Sequence, residues 1–425
     1  MAHDVSISAP PLRVLDAAPR KVSKIILVLL GFGVVSLISA LLVDAPRAWR
    51  AYTYNWLFWT SIAQGAVMIA VMVSMARGVW SRPVRRIALS FVAFLPVAFV
   101  LFLPILFVGH HIFPWVGEDL HGKEVWLNLP FIGARNLILL AILFAMSLRY
   151  AYWSIRPDLG ELRQSAPANR QGLYERLTSG WRGQAEEERI AARKVARLGP
   201  ALGLVFALAF SMLAWDYVMA LDYHWFSTLI GPYFFMGGVL GGVAVTSLAV
   251  MIYRNGLGLH DVIQSNHLHD LGKLTFGFCI FWAYMFWSQF LVIWYGMLPH
   301  DQSFVVDRFS APFLAPALLV FACLFVIPFF GLLGVKPKRT PAIFGTFASI
   351  ILFGLWIERF VLVYPANYAH AESLPFGWIE IGTSFVFAGL FLASLMFFAT
   401  RFPLFQRWLS SHEHKLLDPT YQEPA

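Results

Sequence analysis

Four stretches of the chain, Ala51 to Ala76, Ile87 to Gly117, Tyr223 to Tyr253 and Leu274 to His300, contain no Asp, Glu, Lys or Arg. A helix rises about 1.5 Å per residue, so each stretch is long enough to cross the roughly 30 Å hydrocarbon core of a bilayer. The runs are apolar on every side. Strands of a membrane barrel would instead alternate apolar and polar residues over about ten positions. Charge is scarce throughout, at 13% of 425 residues, where soluble domains carry roughly 25%. The pattern predicts an all-α integral membrane protein.

Ten spans are expected, at about 24–43, 55–76, 87–108, 130–152, 199–221, 229–252, 272–297, 311–334, 341–364 and 376–399. They divide the chain into an N-terminal tail (1–23), spans one to four (24–152), a basic loop with an amphipathic helix (153–198), spans five to ten (199–399) and a C-terminal tail (400–425). Arg135 interrupts span four near its start, and a re-entrant piece there would reverse everything downstream. The first twenty residues lack an apolar core followed by a small-residue cleavage site, so the first span reads as an uncleaved anchor.

Charge asymmetry sets the orientation. With a cytoplasmic N-terminus, the even-numbered loops and both tails hold 26 of the 32 Lys and Arg residues, the odd-numbered loops five, and Arg359 lies within a span. That bias is the positive-inside pattern, with both termini in the cytoplasm. The net charge of +8 then belongs to a surface facing anionic lipid, and no nucleic-acid partner is needed. Residues 185–197 place acids before bases, as in a short amphipathic helix leading into span five.

Only Cys279 and Cys323 occur, both in apolar runs. No Cys-x-x-Cys or Cys-x-x-Cys-His spacing supports an iron-sulfur cluster or covalent haem, and the histidines lie in tails, loops or span ends. No metal site is expected. Pro96, Pro104, Pro316 and Pro328 should kink spans three and eight. Gly237, Gly238, Gly241 and Gly242 form two overlapping Gly-x-x-x-Gly pairs, which favour close helix packing.

An ionisable side chain within a span is costly unless it faces protein or water, which makes each one a candidate for function. Asp216, Asp222, Glu358 and Glu380 all fall in the outer third of the membrane, with Arg359 beside Glu358 and Arg135 entering span four from the same side. Either arginine could neutralise Asp216 or Glu358 in a packing role. A carboxylate held at low dielectric could equally accept a proton. On the inner side, His269 and Lys273 share a helix face at the start of span seven, where Asp270 is placed to cap the helix. The three residues form either an ordinary helix start or a mouth through which protons enter. Farther along span seven, Gln289 wants a polar partner, Tyr284 and Trp287 either pack or line a cavity, and Trp294 and Tyr295 suit an interfacial belt.

The strings Trp215 to Gly238, His269 to Leu274 and Phe281 to Tyr295, together with Phe113 to Gly117 and Lys123 to Asn128 followed by Arg135, resemble the ActF-type membrane subunit of alternative complex III. That complex is a bacterial quinol:electron-acceptor oxidoreductase, and the subunit belongs to the NrfD-like superfamily of polysulphide-reductase membrane anchors. The resemblance implies ten spans with two four-helix bundles, spans two to five and six to nine, plus flanking helices. It also implies a bacterial inner-membrane location and a quinone or quinol substrate. The partners it implies are an iron-sulfur/molybdopterin-like protein, c-type cytochromes and a sister NrfD-like subunit, which carry the electrons because this chain binds no haem or cluster.

Asp216, Asp222, Glu358 and Glu380 become proton-relay candidates on that basis, with Arg135, His224, Tyr284, Gln289 and Arg359 as quinone-facing or relay candidates. The string Trp356 to Val363 resembles the sister subunit as much as this one. The competing expectations are a proton-coupled secondary transporter and a structural anchor without its own site; no paired, broken helices of the transporter kind are evident.

Overall fold

The computed structural model describes residues 12–368 and 371–408. Among the described residues, ten helices are long and apolar enough to cross a membrane: Arg20–Val43, Ala45–Met75, Arg82–Phe107, Leu129–Leu162, Gln184–Leu221, Ile230–Gly256, Ser265–Gly296, Leu314–Gly331, Pro341–Val363 and Trp378–Arg401. They are spans one to ten below. No strand occurs among the described residues. The chain is a multi-pass, all-α membrane protein.

Several spans run past the limits of their apolar runs because charges near their ends find distant partners. Span two begins at Ala45, where Asp44 accepts from the Arg47 backbone N–H at 3.1 Å and Pro46 occupies the first turn. Arg47 and Arg50, in its first two turns, reach Glu380 and the His111 carbonyl. Span four continues through Arg156, Pro157 and Asp158 to Leu162. Arg156 pairs with Glu187 at 2.8 Å, and Arg86 with Asp158 at 2.8 Å, both pairs buried. The amphipathic segment is not a separate helix but the first turns of Gln184–Tyr217, which passes Pro200 without ending. The segment between spans four and five is therefore short and holds one helix, Ala168–Leu177.

Spans two, three, four and five pack in a ring, and spans six, seven, eight and nine pack in a second ring. Span one lies along span ten, which packs on span two. The bundles join where span two meets span six, through glycines. A Cβ on Gly65 would stand 1.9 Å from the Gly238 carbonyl oxygen, and one on Gly242 would stand 2.2 Å from the Gly65 backbone carbon. Only glycine permits this approach, and the close contact replaces the hydrophobic drive that helices lack within lipid.

Span three alternates Arg82–Leu89 and Leu95–Phe102 with tighter turns at Ser90–Phe94 and Leu103–Phe107, and Pro96 and Pro104 each sit at the start of a segment. In span eight the break is a wide turn, Ala322–Val326, just before Pro328. Pro316 does not kink the span as expected. It lies in the first turn, where its missing N–H has no helical acceptor to lose.

The tail segments share one face. Leu15 N–H donates to the Ala399 carbonyl at 2.9 Å, and Tyr174 Oη donates to the Arg401 carbonyl at 2.8 Å. This is the tail face. The opposite end, with the turns after spans one, three, five, seven and nine, is the distal face.

Candidate functional site

All four intramembrane acids lie toward the distal face, but their surroundings divide them. Glu380 opens span ten. Its carboxylate accepts from Arg47 Nε and Nη2, each at 2.8 Å, from Tyr364 Oη at 2.8 Å and from the Gly377 backbone N–H at 2.7 Å. A carboxylate with four donors, one of them at its own helix start, is a capping and clamping group. Asp216 is similarly enclosed. It accepts from Arg135 Nε at 2.8 Å, from Arg135 Nη2 and from Asn136 Nδ2. The Arg135 guanidinium lies over the Trp126 ring, 4.1 Å from its centre. This pair ties span five to span four.

Glu358 has a different position. Its Oε1 accepts from Trp282 Nε1 at 2.8 Å and its Oε2 pairs with Arg359 Nη1 at 2.6 Å, while Arg359 Nη2 donates to the Phe234 carbonyl at 3.2 Å. The wide turn of span eight seats Cys323 and Leu324 against Gly354, one helical turn before Glu358. Both Glu358 and Arg359 are buried. Unlike Asp216 and Glu380, Glu358 lines a cavity of about 80 Å³ between spans six, seven, eight and nine. Tyr233, Phe286, Phe290 and Val320 form much of its apolar wall, and Gln289 and Arg308 add polar groups. Gln289 Oε1 accepts from Ser227 Oγ at 2.6 Å, which supplies the expected polar partner. The space is well below the roughly 300 Å³ of ordinary small-molecule pockets. It suits a few waters or the hydroxyl edge of a ring.

Arg308 lies in helix Pro299–Phe309, between spans seven and eight. It is buried. Nη1 donates to the Phe304 carbonyl at 2.8 Å and Nη2 to the Leu362 carbonyl at 2.9 Å, while its guanidinium carbon stands 3.3 Å from the centre of the Phe304 ring. Phe304 is itself stacked on Trp225 at 3.6 Å. Nε has no acceptor among the described residues, so an oxygen from water or ligand would complete it. Burial lowers the proton affinity of the guanidinium, and the charges of Asp222 and Asp307 oppose that shift.

Arg308 also lines a second cavity, of about 410 Å³, toward the distal face. Asp222, His224, Ser303 and Asp307 face that space, and Asp222 accepts from Ser303 Oγ at 3.5 Å. Arg308 thus contributes to the wall of both cavities.

The remaining candidates fall elsewhere. Tyr284 is 60% exposed on the outer side of span seven and faces neither cavity, as does Trp287. Asp270 does not cap span seven. The helix starts earlier, at Ser265, where the Gln264 N–H donates to His267 Nδ1 at 2.9 Å. Asp270 lies within the helix and pairs with Lys273 at 2.7 Å. His269 stands near Lys273, Lys338 and Arg339 at the tail face. Burial, and then Lys273, lower the proton affinity of Lys338. This group lies at the opposite end of span seven from the Glu358 cavity.

The sequence pattern passed over Arg308, Tyr233 and Asp307. The one available signal for Arg308 was its place among the few basic residues of the odd-numbered loops. No protein-family model matches the sequence, and no curated protein is significantly similar to it.

Proposed function

We propose that this chain is a non-autonomous membrane subunit of a bacterial quinol:electron-acceptor oxidoreductase of the alternative-complex-III kind, and that its own chemistry is proton transfer. The single observation that carries the reading is Arg308, shared by the small cavity of Glu358 and the larger cavity of Asp222, His224 and Asp307. The resemblance of the span-five and span-seven strings to ActF-type subunits supplies the substrate class.

Oxidation of a quinol releases two protons and two electrons. Electrons leave to an iron-sulfur cluster or haem on partner subunits, because the sequence offers no cofactor motif for them. The apolar wall of the small cavity suits the edge of a quinol ring, Gln289 and Tyr233 orient its hydroxyl, and Glu358 takes the two protons in succession, passing the first on before it accepts the second. Water beside Arg308 Nε connects Glu358 to the distal cavity, where Asp222, Asp307 and His224 release the proton. The charge bias supports a reading in which that face lies outside the cytoplasm, and the family resemblance supports a bacterial inner membrane. Asp216 and Glu380 hold the helices that frame the path. The His269, Asp270 and Lys273 group stands apart from it.

Extraction in mild detergent tests the assignment. The chain should copurify with iron-sulfur or haem proteins and with quinone. Recovery as a lone, quinone-free protein that carries a solute across liposome membranes would replace the proposal with a secondary transporter.

A further inference from the structure

Spans seven and eight do not pack evenly along their length. In their tail halves Ala322–Gly331 lies against span seven, whereas toward the distal face Leu314–Phe321 stands away from it and helix Pro299–Phe309 packs between the two. This helix of eleven residues is a wedge. The chain leaves span seven for the wedge through Met297, which follows Gly296 and has a left-handed backbone at φ 50°. A side chain other than glycine is uncommon there, and the position marks a sharp change of direction. At the other end Ser310 is extended.

Aromatic rings close the seam around the wedge. The Phe286 ring of span seven stands 6.2 Å from that of Phe309 on the wedge and 5.9 Å from that of Phe321 on span eight, centre to centre. All three rings are half-buried. Val306 and Leu318, one turn before Phe309 and Phe321 and so on the same helix faces, are more than half exposed. That side of the molecule faces hydrocarbon. On the inner side, Phe286 and Phe309 line the Glu358 cavity, and Trp282, stacked on Phe286 at 5.7 Å, donates to Glu358. The two phenylalanines thus stand between that cavity and the bilayer.

At about 80 Å³ the cavity is too small for a whole substituted ring, since small-molecule sites take roughly 300 Å³ or more. The remaining space has to come from the wall, and the seam is where the wall can part. Arg308 fastens the inner face of the wedge to the Leu362 carbonyl, and Phe304 lies on Trp225. The Phe286–Phe309 contact is ring packing alone, which separates without breaking a hydrogen bond.

We propose that this seam is the entry from the bilayer for a quinol with a long hydrocarbon tail, and that helix Pro299–Phe309 is its gate. The head would reach Glu358 while the tail leaves between spans seven and eight, along Phe286 and Phe309, into lipid. The proposal rests on the reading that a quinol head delivers its protons to Glu358. It excludes the distal cavity of about 410 Å³ as the way in.

The test locks the gate in the intact complex. In F286C/F309C the two cysteines are joined by a cleavable bis-methanethiosulfonate and released by a phosphine; Cys279 and Cys323 are buried, and the treated parent is the control. Exchange of a radiolabelled, long-tailed quinone is followed separately from turnover. Locking before quinone is added should slow its uptake about tenfold or more, locking afterwards should slow its loss to the same extent, and cleavage should restore both. F286L/F309L keeps an apolar contact but thins the plug, and it should exchange quinone severalfold faster than the parent. Parent-like exchange in the locked protein overturns the gate and leaves the distal cavity as the entrance. Parent-like exchange in F286L/F309L also overturns it, and that variant decides the point if the cysteine pair fails to assemble. With turnover lost in Glu358→Gln, either result counts against the gate alone. A parent complex that binds no quinone overturns both the gate and the reading beneath it.

Discussion

Glu358 and Arg359 are neighbours in sequence yet form an ion pair at 2.6 Å, although adjacent side chains on a helix diverge by about 100°. Gly237 on span six makes the contact possible. A Cβ there would stand 3.1 Å from Arg359 Nη2 and 3.6 Å from Glu358 Oε2. The guanidinium folds into that space and keeps Glu358 at the cavity wall. Gly237→Ala should be accommodated by a small shift of the guanidinium. Gly237→Leu should break the pair, at a cost of about 3–5 kcal/mol for an uncompensated buried charge. Thermal midpoints of the detergent-solubilised protein check both.

Asp216 should prove structural. Arg135→Met leaves its carboxylate buried and uncompensated, at a cost of about 3–5 kcal/mol. The double variant R135M/D216L should recover much of that loss. Asp216→Asn in an intact complex should leave quinol turnover within about twofold of the parent, well short of the effect of losing an acid–base group. Stability measurements on the set, with turnover of whichever variants assemble, decide the point. A large fall in turnover for Asp216→Asn would return Asp216 to the relay.

Span number was legible because charge is so scarce that its absence marks each crossing, whereas the grouping into two bundles was only what the family resemblance implied. Span ends were not legible. Arg47 and Arg156 read as loop residues until a distant partner absorbs them into helix, and Glu380 lies 333 positions from Arg47. The four outer acids stood out equally in the sequence. Their separation into clamps and a cavity-lining group depends on Arg135, Arg47, Tyr364 and Arg308, whose distances no spacing rule supplies. Arg308 entered the sequence reading only as one of the five basic residues of the odd-numbered loops, and its place became visible only when helix Pro299–Phe309 buried it against Phe304.

Between the bundles, even the smallest side chain should be refused. Gly65→Ala would set its methyl 1.9 Å from the Gly238 carbonyl oxygen, a backbone atom that cannot rotate away. Overpacking costs typically about 1–3 kcal/mol, so the thermal midpoint should fall by several degrees. Gly31→Ala, where a Cβ meets nothing within 4 Å, should leave it unchanged. Equal midpoints for the two variants would mean that spans two and six are not so close.

The distal cavity holds several groups that can release a proton. Asp222→Asn alone should therefore slow proton release only about twofold to threefold. Asp222→Asn with Asp307→Asn should slow it by more than the product of the single effects, since the groups share one space. Stopped-flow recording with a pH dye outside proteoliposomes would resolve the difference. Independent, multiplicative effects would argue against a shared exit.

The most direct test is quinol turnover, with simultaneous proton release, in the intact complex carrying Glu358→Gln. Gln keeps the size of the side chain and an oxygen for Trp282 but cannot take the proton. Subunit composition should be unchanged, and turnover should fall roughly 10²-fold or more, the scale of a lost general base. Glu358→Asp should restore part of it. Parent-like turnover and proton release in an assembled Glu358→Gln complex would contradict the account.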